Sequence, residues 1–153
     1  ILRKKRGVAK RNVKTSTAVC SSTINKKTPV TNKRTYGTLI PGQLDGIDGS
    51  LARKFKRGKV PIDNTLDMHG LKQKEAEKSL NNFINVSFNN DLRCLLIITG
   101  KGSNIEGGGI LKKMTPHWLN SRLNREKILS FTEAKQSDGG AGALYVLLRK
   151  NNK

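Results

Sequence analysis

Aromatic side chains are scarce: Phe, Tyr and Trp make up 5% of the 153 residues. A protein that binds nucleic acid mainly by stacking successive bases on aromatic rings needs more of them. Cysteine is scarcer still, with Cys20 and Cys94 alone. Two thiols so far apart make neither a disulfide scaffold nor a zinc motif, and they fit a reducing cytoplasm. No uninterrupted apolar run nears the roughly 20 residues that cross a bilayer, so no membrane partner is expected. The opening ILRKKRGVAKRNV leads into STAVCSSTI, too short and polar for a signal-peptide core. The chain opens on Ile and not Met, as a fragment of a longer protein would. Acidic residues are the last shortage. Eleven Asp and Glu stand against thirty Lys and Arg, for a formal net charge of +19.

That excess implies a polyanionic partner, because self-repulsion gains an isolated protein nothing. With few aromatics, the electrostatics should read phosphates more than bases. The charge is uneven. Residues 1–59 hold sixteen of the basic residues and two of the acidic ones. Residues 1–43 are rich in Lys, Arg, Thr, Ser and Asn without an apolar period, and read as a disordered basic arm. Residues 44–62 read as a basic linker in which SLARKFKRG makes one short helix, capped by Ser50 and closed by Gly58. Lys54, Lys56, Arg57 and Lys59 would form a cationic apron on it.

Residues 63–150 carry the regular signals. TLDMHG and RCLLIITG read as strands, the second bounded by Asp91 and Gly100 and rich in β-branched residues. Between them KQKEAEKSLNNFINVSF places Ala76, Leu80, Phe83, Ile84 and Phe88 at helical spacing. GILKKMTPHWLN sets Ile110, Leu111, Met114, Trp118 and Leu119 on one face of a second helix, which Pro116 should kink or restart. KILSFTEA and ALYVLLRK are two more strands, separated by the turn-rich QSDGGAG. The order is β-α-β-α-β-β, an α/β class. Helical connections after the first two strands favour parallel neighbours with both helices on one sheet face, leaving the other open or partly covered.

Two features carry chemistry. Strand residues alternate sides, so Leu66 and Met68 face inward while Asp67 and His69 project together from the other side. An acid and a base two residues apart, where the chain enters a turn at Gly70, is either a polar outer face or a site. The second feature is the loop from Thr99-Gly100-Lys101-Gly102 to Gly107-Gly108-Gly109. Glycines between a strand and a helix let backbone N–H groups approach an anion, and the helix start adds partial positive charge. Lys101 and Lys112 would add full charges. The loop lacks the Gly-Lys-Ser/Thr ending of a Walker A motif and the GxGxxG order of a dinucleotide fold. Parallel neighbours bring the ends of both strands together, the usual place for a binding crevice.

These same residues resemble the Smr (small MutS-related) domain family, in its stand-alone proteobacterial form. LDMHGLKQKEAEKSL is similar to the family's "LDLHG" signature and helix. IITGKGS…GGGILKKMTPHWLN and DGGAGALYVLLRK resemble its glycine motif and last strand, and the likeness runs from about Leu44 to Lys150. The resemblance implies a compact two-layer α/β sandwich, like the C-terminal domain of a bacterial translation initiation factor. It implies nucleic-acid binding, often with DNA-nicking or RNA-cleaving activity, and for some members cutting of mRNA on stalled ribosomes. Asp67 and His69 match the family's acid and histidine, and Gly100 and Gly102 its Gly-x-Gly. Met68 replaces the usual Leu, a volume-conserving change. Thr99 stands where many members carry a second histidine. His117, the other histidine here, falls in the second helix and reads as an exposed helix residue.

Cleaving a phosphodiester needs a base for the nucleophile, an acid for the leaving oxygen and positive charge on the phosphate. Imidazoles ordinarily titrate near pH 6.5 and so serve either proton role at neutral pH. RNA carries its own nucleophile in the 2′-hydroxyl, whereas DNA would need an activated water. RNA is therefore the favoured substrate over DNA. Asp67 and His69 offer two ligands to a divalent metal and no third has a recognisable spacing, so no cofactor is expected, with a divalent metal the open alternative. Two functions remain in play: an endonuclease with Asp67 and His69 catalytic, or a non-catalytic nucleic-acid or ribosome-binding module. In both, Thr99, Gly100, Lys101, Gly102, Gly109, Lys112, Lys54 and Arg57 are the expected nucleic-acid contacts.

Overall fold

The computed structural model describes residues 34–102 and 109–152. Most of the basic arm, with Cys20, lies outside them, as does the middle of the glycine loop. The main compact unit begins at Tyr36, ahead of position 43 where composition put the end of the arm. The early start has a backbone cause. Gly42 N–H donates to the Phe131 carbonyl at 2.8 Å, Leu39 N–H to Asn120 Oδ1 at 2.6 Å, and the Ser130 hydroxyl to the Gln43 carbonyl. Main-chain pairing of this kind leaves no trace in composition.

Helix α1 spans Gly49–Lys56. Its cap is Asp48, not Ser50: the carboxylate accepts the N–H groups of Ser50 at 3.0 Å and Leu51 at 3.2 Å. A serine inside the first turn cannot serve the donors that the residue before the helix faces. Gly58 follows the helix with a φ of +62°, as its expected stop. Phe55 is the fully buried anchor of α1 and meets the Tyr145 ring at 6.2 Å.

The sheet contains β1 (Asn64–Asp67), β2 (Cys94–Ile98), β3 (Ile128–Glu133) and β4 (Ala143–Leu148), in the order β1-β2-β4-β3. β1 and β2 are parallel neighbours, as expected. β2 and β3 are not. β4 lies between them, antiparallel to both. The short link from β3 to β4 folds them into an antiparallel pair. Five of six β4 residues are buried, so β4 is the strand suited to have a neighbour on each edge and cover on each face.

Helices α2 (Gln73–Asn89) and α3 (Ile110–Leu119) cover one face. Ala76, Leu80, Ile84, Leu111 and Trp118 pack there with Met68, Leu95 and Ile97. α1 covers part of the other face, where Phe55 packs with Cys94, Leu96, Tyr145 and Leu147. β2 thus alternates between two apolar layers, which is why its sequence reads as an unbroken apolar run. α3 passes through Pro116 as one helix and does not restart there. Its buried residues are Leu111, Thr115, Trp118 and Leu119. Ile110, expected on that face, is 54% exposed because it lies about 100° of helix rotation away from Leu111. No helix among the described residues is long and apolar enough to cross a membrane.

Candidate active site

β1 is an edge strand, and its last residue, Asp67, stands beside Ile98, the last of β2. The parallel ladder continues one step, with Met68 N–H donating to the Ile98 carbonyl at 2.8 Å. Met68 is fully buried and Leu66 half-buried, whereas Thr65, Asp67 and His69 are exposed, the alternation expected of a strand with one buried face. Asp67 Oδ1 accepts two hydrogen bonds from His69, the backbone N–H at 3.0 Å and ring Nδ1 at 2.6 Å. The backbone bond, two residues on, is the local turn that Asp favours, and Gly70 completes it with a φ of +77°.

These contacts order the protons. The His69 backbone N–H first, and then the ring, hold the Asp67 carboxyl below its ordinary value. An ionised carboxylate only accepts, so Nδ1 must carry the hydrogen. The neutral imidazole then has its lone pair on Nε2. The side chain of His69 is 72% exposed and that of Asp67 46%, so the basic nitrogen meets solvent or whatever binds there.

The glycine loop abuts this pair. Gly100 has a φ of +84°, and a Cβ there would lie 3.6 Å from that of His69. The two sides of the loop touch: a Cβ on Gly109 would come within 3.3 Å of Gly102 Cα. Gly109 precedes α3 without a side-chain cap, so the first-turn N–H groups have no side-chain acceptor from it. Lys101 is exposed, and Lys112 is half-buried in the first turn of α3. Thr99 has a different place. It is buried, and its hydroxyl donates inward to the Gly142 carbonyl at 3.1 Å.

Lys54 on α1 and Arg57 directly after it are exposed, away from the loop by sequence but not by face. Thr65 and Asp67 stand beside Leu96 and Ile98, which pack toward α1. The basic helix and the Asp67–His69 pair therefore share one side of the sheet. His117 is exposed on α3.

One residue of the site is absent from the expectations. The Gly142 carbonyl accepts Thr99 N–H at 2.8 Å and Gly100 N–H at 3.1 Å, besides the Thr99 hydroxyl. A Cβ on Gly142 would lie 3.0 Å from the Gly100 carbonyl carbon and from Lys101 N. The turn between β3 and β4 thus clasps the loop after β2. The signal was the glycine run in QSDGGAG, which reads only as a turn unless β4 is known to lie beside β2. Among the described residues no group of three or more His, Cys, Asp or Glu side chains is arranged to hold a metal ion.

Two similar curated proteins are both named ribosome rescue factor SmrB. That of Aliivibrio salmonicida (strain LFI1238) is 34% identical over 104 residues, covering 68% of this chain and 54% of the relative. That of Shewanella sp. (strain ANA-3) is 33% identical over 120 residues, covering 74% and 64%. The chain accordingly spans between 54% and 64% of the length of these relatives. The crystal structure of YdaL, a stand-alone small MutS-related protein from Escherichia coli, is 30% identical, with a TM-score of 0.59 over 76% of this chain and 93% of that one. The Smr domain family model matches residues 66–149, from the strand that carries Asp67 to the end of the central strand, which is more than half of the chain. With its signature strand, glycine loop and last strand in the family's order and fold, the chain belongs to the Smr domain family.

Proposed function

We propose that this protein is a nucleic-acid-binding endonuclease that cleaves phosphodiester bonds in RNA in preference to DNA, with His69 as the proton-transfer group and Asp67 as its orienting partner. The observation that carries the reading is the 2.6 Å contact between Asp67 Oδ1 and His69 Nδ1, which directs the basic lone pair to an exposed Nε2. A 2′-hydroxyl presented to Nε2 would lose its proton there as its oxygen attacks the adjacent phosphorus; the P–O5′ bond would break, the 5′-oxygen taking a proton from solvent, to leave a 2′,3′-cyclic phosphate and a 5′-hydroxyl. The backbone of Gly100 and Gly102, the start of α3 and the Lys101 ammonium would receive the growing charge on the phosphate oxygens. Lys54 and Arg57, on the same side of the sheet, would hold the flanking backbone. The names of the similar proteins supply the setting: mRNA on a stalled ribosome is the substrate that fits a ribosome rescue factor. Such work would be cytoplasmic. In this reading the chemistry needs no metal beyond the side chains named.

The second reading is a non-catalytic nucleic-acid or ribosome-binding module. Its support is exposure, since a pair open to solvent lacks the water-excluded walls that strengthen electrostatic catalysis. One experiment separates the two. Labelled single-stranded RNA and duplex DNA are incubated with wild type and with His69→Ala, each with and without a chelator. Cleavage by wild type should be confined to RNA, should survive the chelator, and should fall by roughly 10²–10⁴-fold in His69→Ala. RNA 2′-deoxy at the cut site should resist. Undiminished cleavage by His69→Ala would sink the catalytic reading, and equal loss of binding and rate would make the pair a docking surface.

A further inference from the structure

A pocket of about 220 Å³ opens at the end of the sheet remote from His69, with Leu39, Gln43, Asp45, Arg125 and Arg149 in its lining. Its position follows from register. Arg149 comes directly after β4, and Leu148 N–H donates to the carbonyl of Arg93, the residue before β2. His69 lies by the other end of β2, beyond Ile98. Five strand residues separate the two places, roughly 15 Å.

The pocket brings two guanidinium groups together, and neither is ion-paired among the described residues. The guanidinium carbons of Arg149 and Arg125 lie 4.7 Å and 5.3 Å from the centre of the Tyr36 ring. Arg125 is tied down by Nε to the Gly37 carbonyl at 2.5 Å and by Nη1 to the Ile128 carbonyl at 3.1 Å. Arg149 Nε is buried and, among the described residues, has no hydrogen-bond acceptor. Asp45, the carboxylate in the lining, is exposed and engaged by Gln43 Nε2 at 2.5 Å. Burial first, and the Arg149 charge second, push the Arg125 guanidinium below its ordinary value. Two neighbouring cations and an orphaned buried donor raise the free energy of the fold unless an acceptor anion meets them.

We propose that this pocket is a second phosphate site, in which Arg149, with Arg125 beside it, takes a backbone phosphate of the nucleic acid strand bound at the Gly100 loop. The proposal rests on the reading of the chain as a nucleic-acid binder. Guanidinium groups match phosphate oxygens with paired donors, and a pocket several times the ~30 Å³ share of one liquid water has room for the group. A separation of roughly 15 Å spans more than the single phosphate-to-phosphate step that a trinucleotide offers, so one strand reaches both places only if it is longer. The second site would make such a strand bind better than a shorter one.

The test uses the full chain as wild type, Arg149→Met and Arg149→Lys, with melting temperatures measured for all three. The probes are inorganic phosphate, a single-stranded RNA trinucleotide and a dodecamer. Phosphate should move the Arg149 Nε–H resonance saturably in the NMR spectrum of the wild type. Arg149→Met should weaken the dodecamer about five- to tenfold and flatten its salt dependence by about 0.7 in log–log slope, while leaving the trinucleotide unchanged. Arg149→Lys should restore the slope and only part of the affinity, because an ammonium lacks the paired donors.

Dodecamer binding with unchanged affinity and slope in Arg149→Met overturns the proposal, and a lowered melting temperature alone would make Arg149 a clamp on Tyr36. A saturable phosphate shift with no effect on the dodecamer also overturns it, by assigning the pocket to a free anion. If wild type binds neither oligonucleotide, the nucleic-acid reading fails and this proposal goes with it. If Arg149→Met does not fold, Arg149→Lys carries the decision: dodecamer affinity equal to wild type then counts against the phosphate site.

Discussion

The Gly142 carbonyl holds the N–H groups of both Thr99 and Gly100, at 2.8 Å and 3.1 Å, so the turn before β4 sets the path of the loop that abuts His69. Contact is close enough that any side chain at 142 would press on Gly100 and Lys101. Gly142→Val should therefore displace the loop. We expect RNA cleavage and binding to fall at least tenfold while circular dichroism shows the fold retained. Equal activity in the variant would mean that the loop's path is not needed.

Asp67 should act through the imidazole. Its carboxyl is held below the ordinary value by the His69 backbone N–H and ring, so it stays ionised to lower pH than an ordinary aspartate. A depressed pKa stabilises the fold above the unfolded value of about 3.9 and is lost as pH falls through the folded one. Both groups are exposed, so solvent screening makes this stability small. The larger effect is on rate. Asp67→Asn keeps the shape but replaces the carboxylate that accepts Nδ1–H, so the ring loses the partner that fixes its tautomer and orientation. The cleavage rate should drop more than the affinity does, as single-turnover rates and binding titrations on the same RNA would show. Equal loss of rate and affinity would separate the carboxylate from the proton chemistry.

The loop should grip phosphate more by backbone than by charge. Gly102 has a φ of +60°, a region that a branched residue avoids. Gly102→Val should cost more in binding or turnover than Lys101→Ala, which removes only one exposed ammonium. Parallel salt titrations of both variants check this, and equal tolerance would reduce the loop to a connector.

Tyr145 and Asp138 make a second pH-dependent pair. The phenol donates to the Asp138 carboxylate. Burial first, and that bond second, push Tyr145 up to about 12, while the same bond is the main cause that holds Asp138 below its ordinary value. The stability tied to the raised phenol is full below about pH 10, the unfolded value, and is lost as pH rises through about 12. That tied to the depressed carboxyl is present above about pH 3.9 and is lost as pH falls through the lower folded value. Tyr145→Phe should lower stability at neutral pH and flatten its fall at both extremes, as read by denaturant midpoints across pH. Identical profiles for the two proteins would deny the coupling.

How far the sequence could be read depended on whether a feature is local. Alternation in TLDMHG placed Asp67 and His69 on one side, because strand period alone decides that. The periodicity of α2 likewise placed Ala76, Leu80 and Ile84 inside. What failed was anything decided by distant pairing. The neighbour of β2 depends on which strand is buried on both faces, and the importance of Gly142 depends on that neighbour. Asp48 and Ile110 were smaller errors of one or two positions, where helix ends turn on backbone geometry that residue type only biases. Tyr36 and Arg149 lie more than a hundred positions apart, so nothing in either segment announces their contact.

The place of β4 also bears on how the protein is made. The strand synthesised last among the four is the one that joins β2 to β3. Until residues 143–148 have left the ribosome, β2 presents an open edge, and β3 has no partner in the sheet. Much of the chain therefore waits as an unpaired intermediate during translation, with apolar strand edges that invite association with other chains. A transcript broken before the codon for Ala143 would yield a product unable to close its own sheet. Such a product should depend on chaperones or be degraded, and a pulse-chase of ribosome-bound fragments would show protease resistance only after β4 emerges.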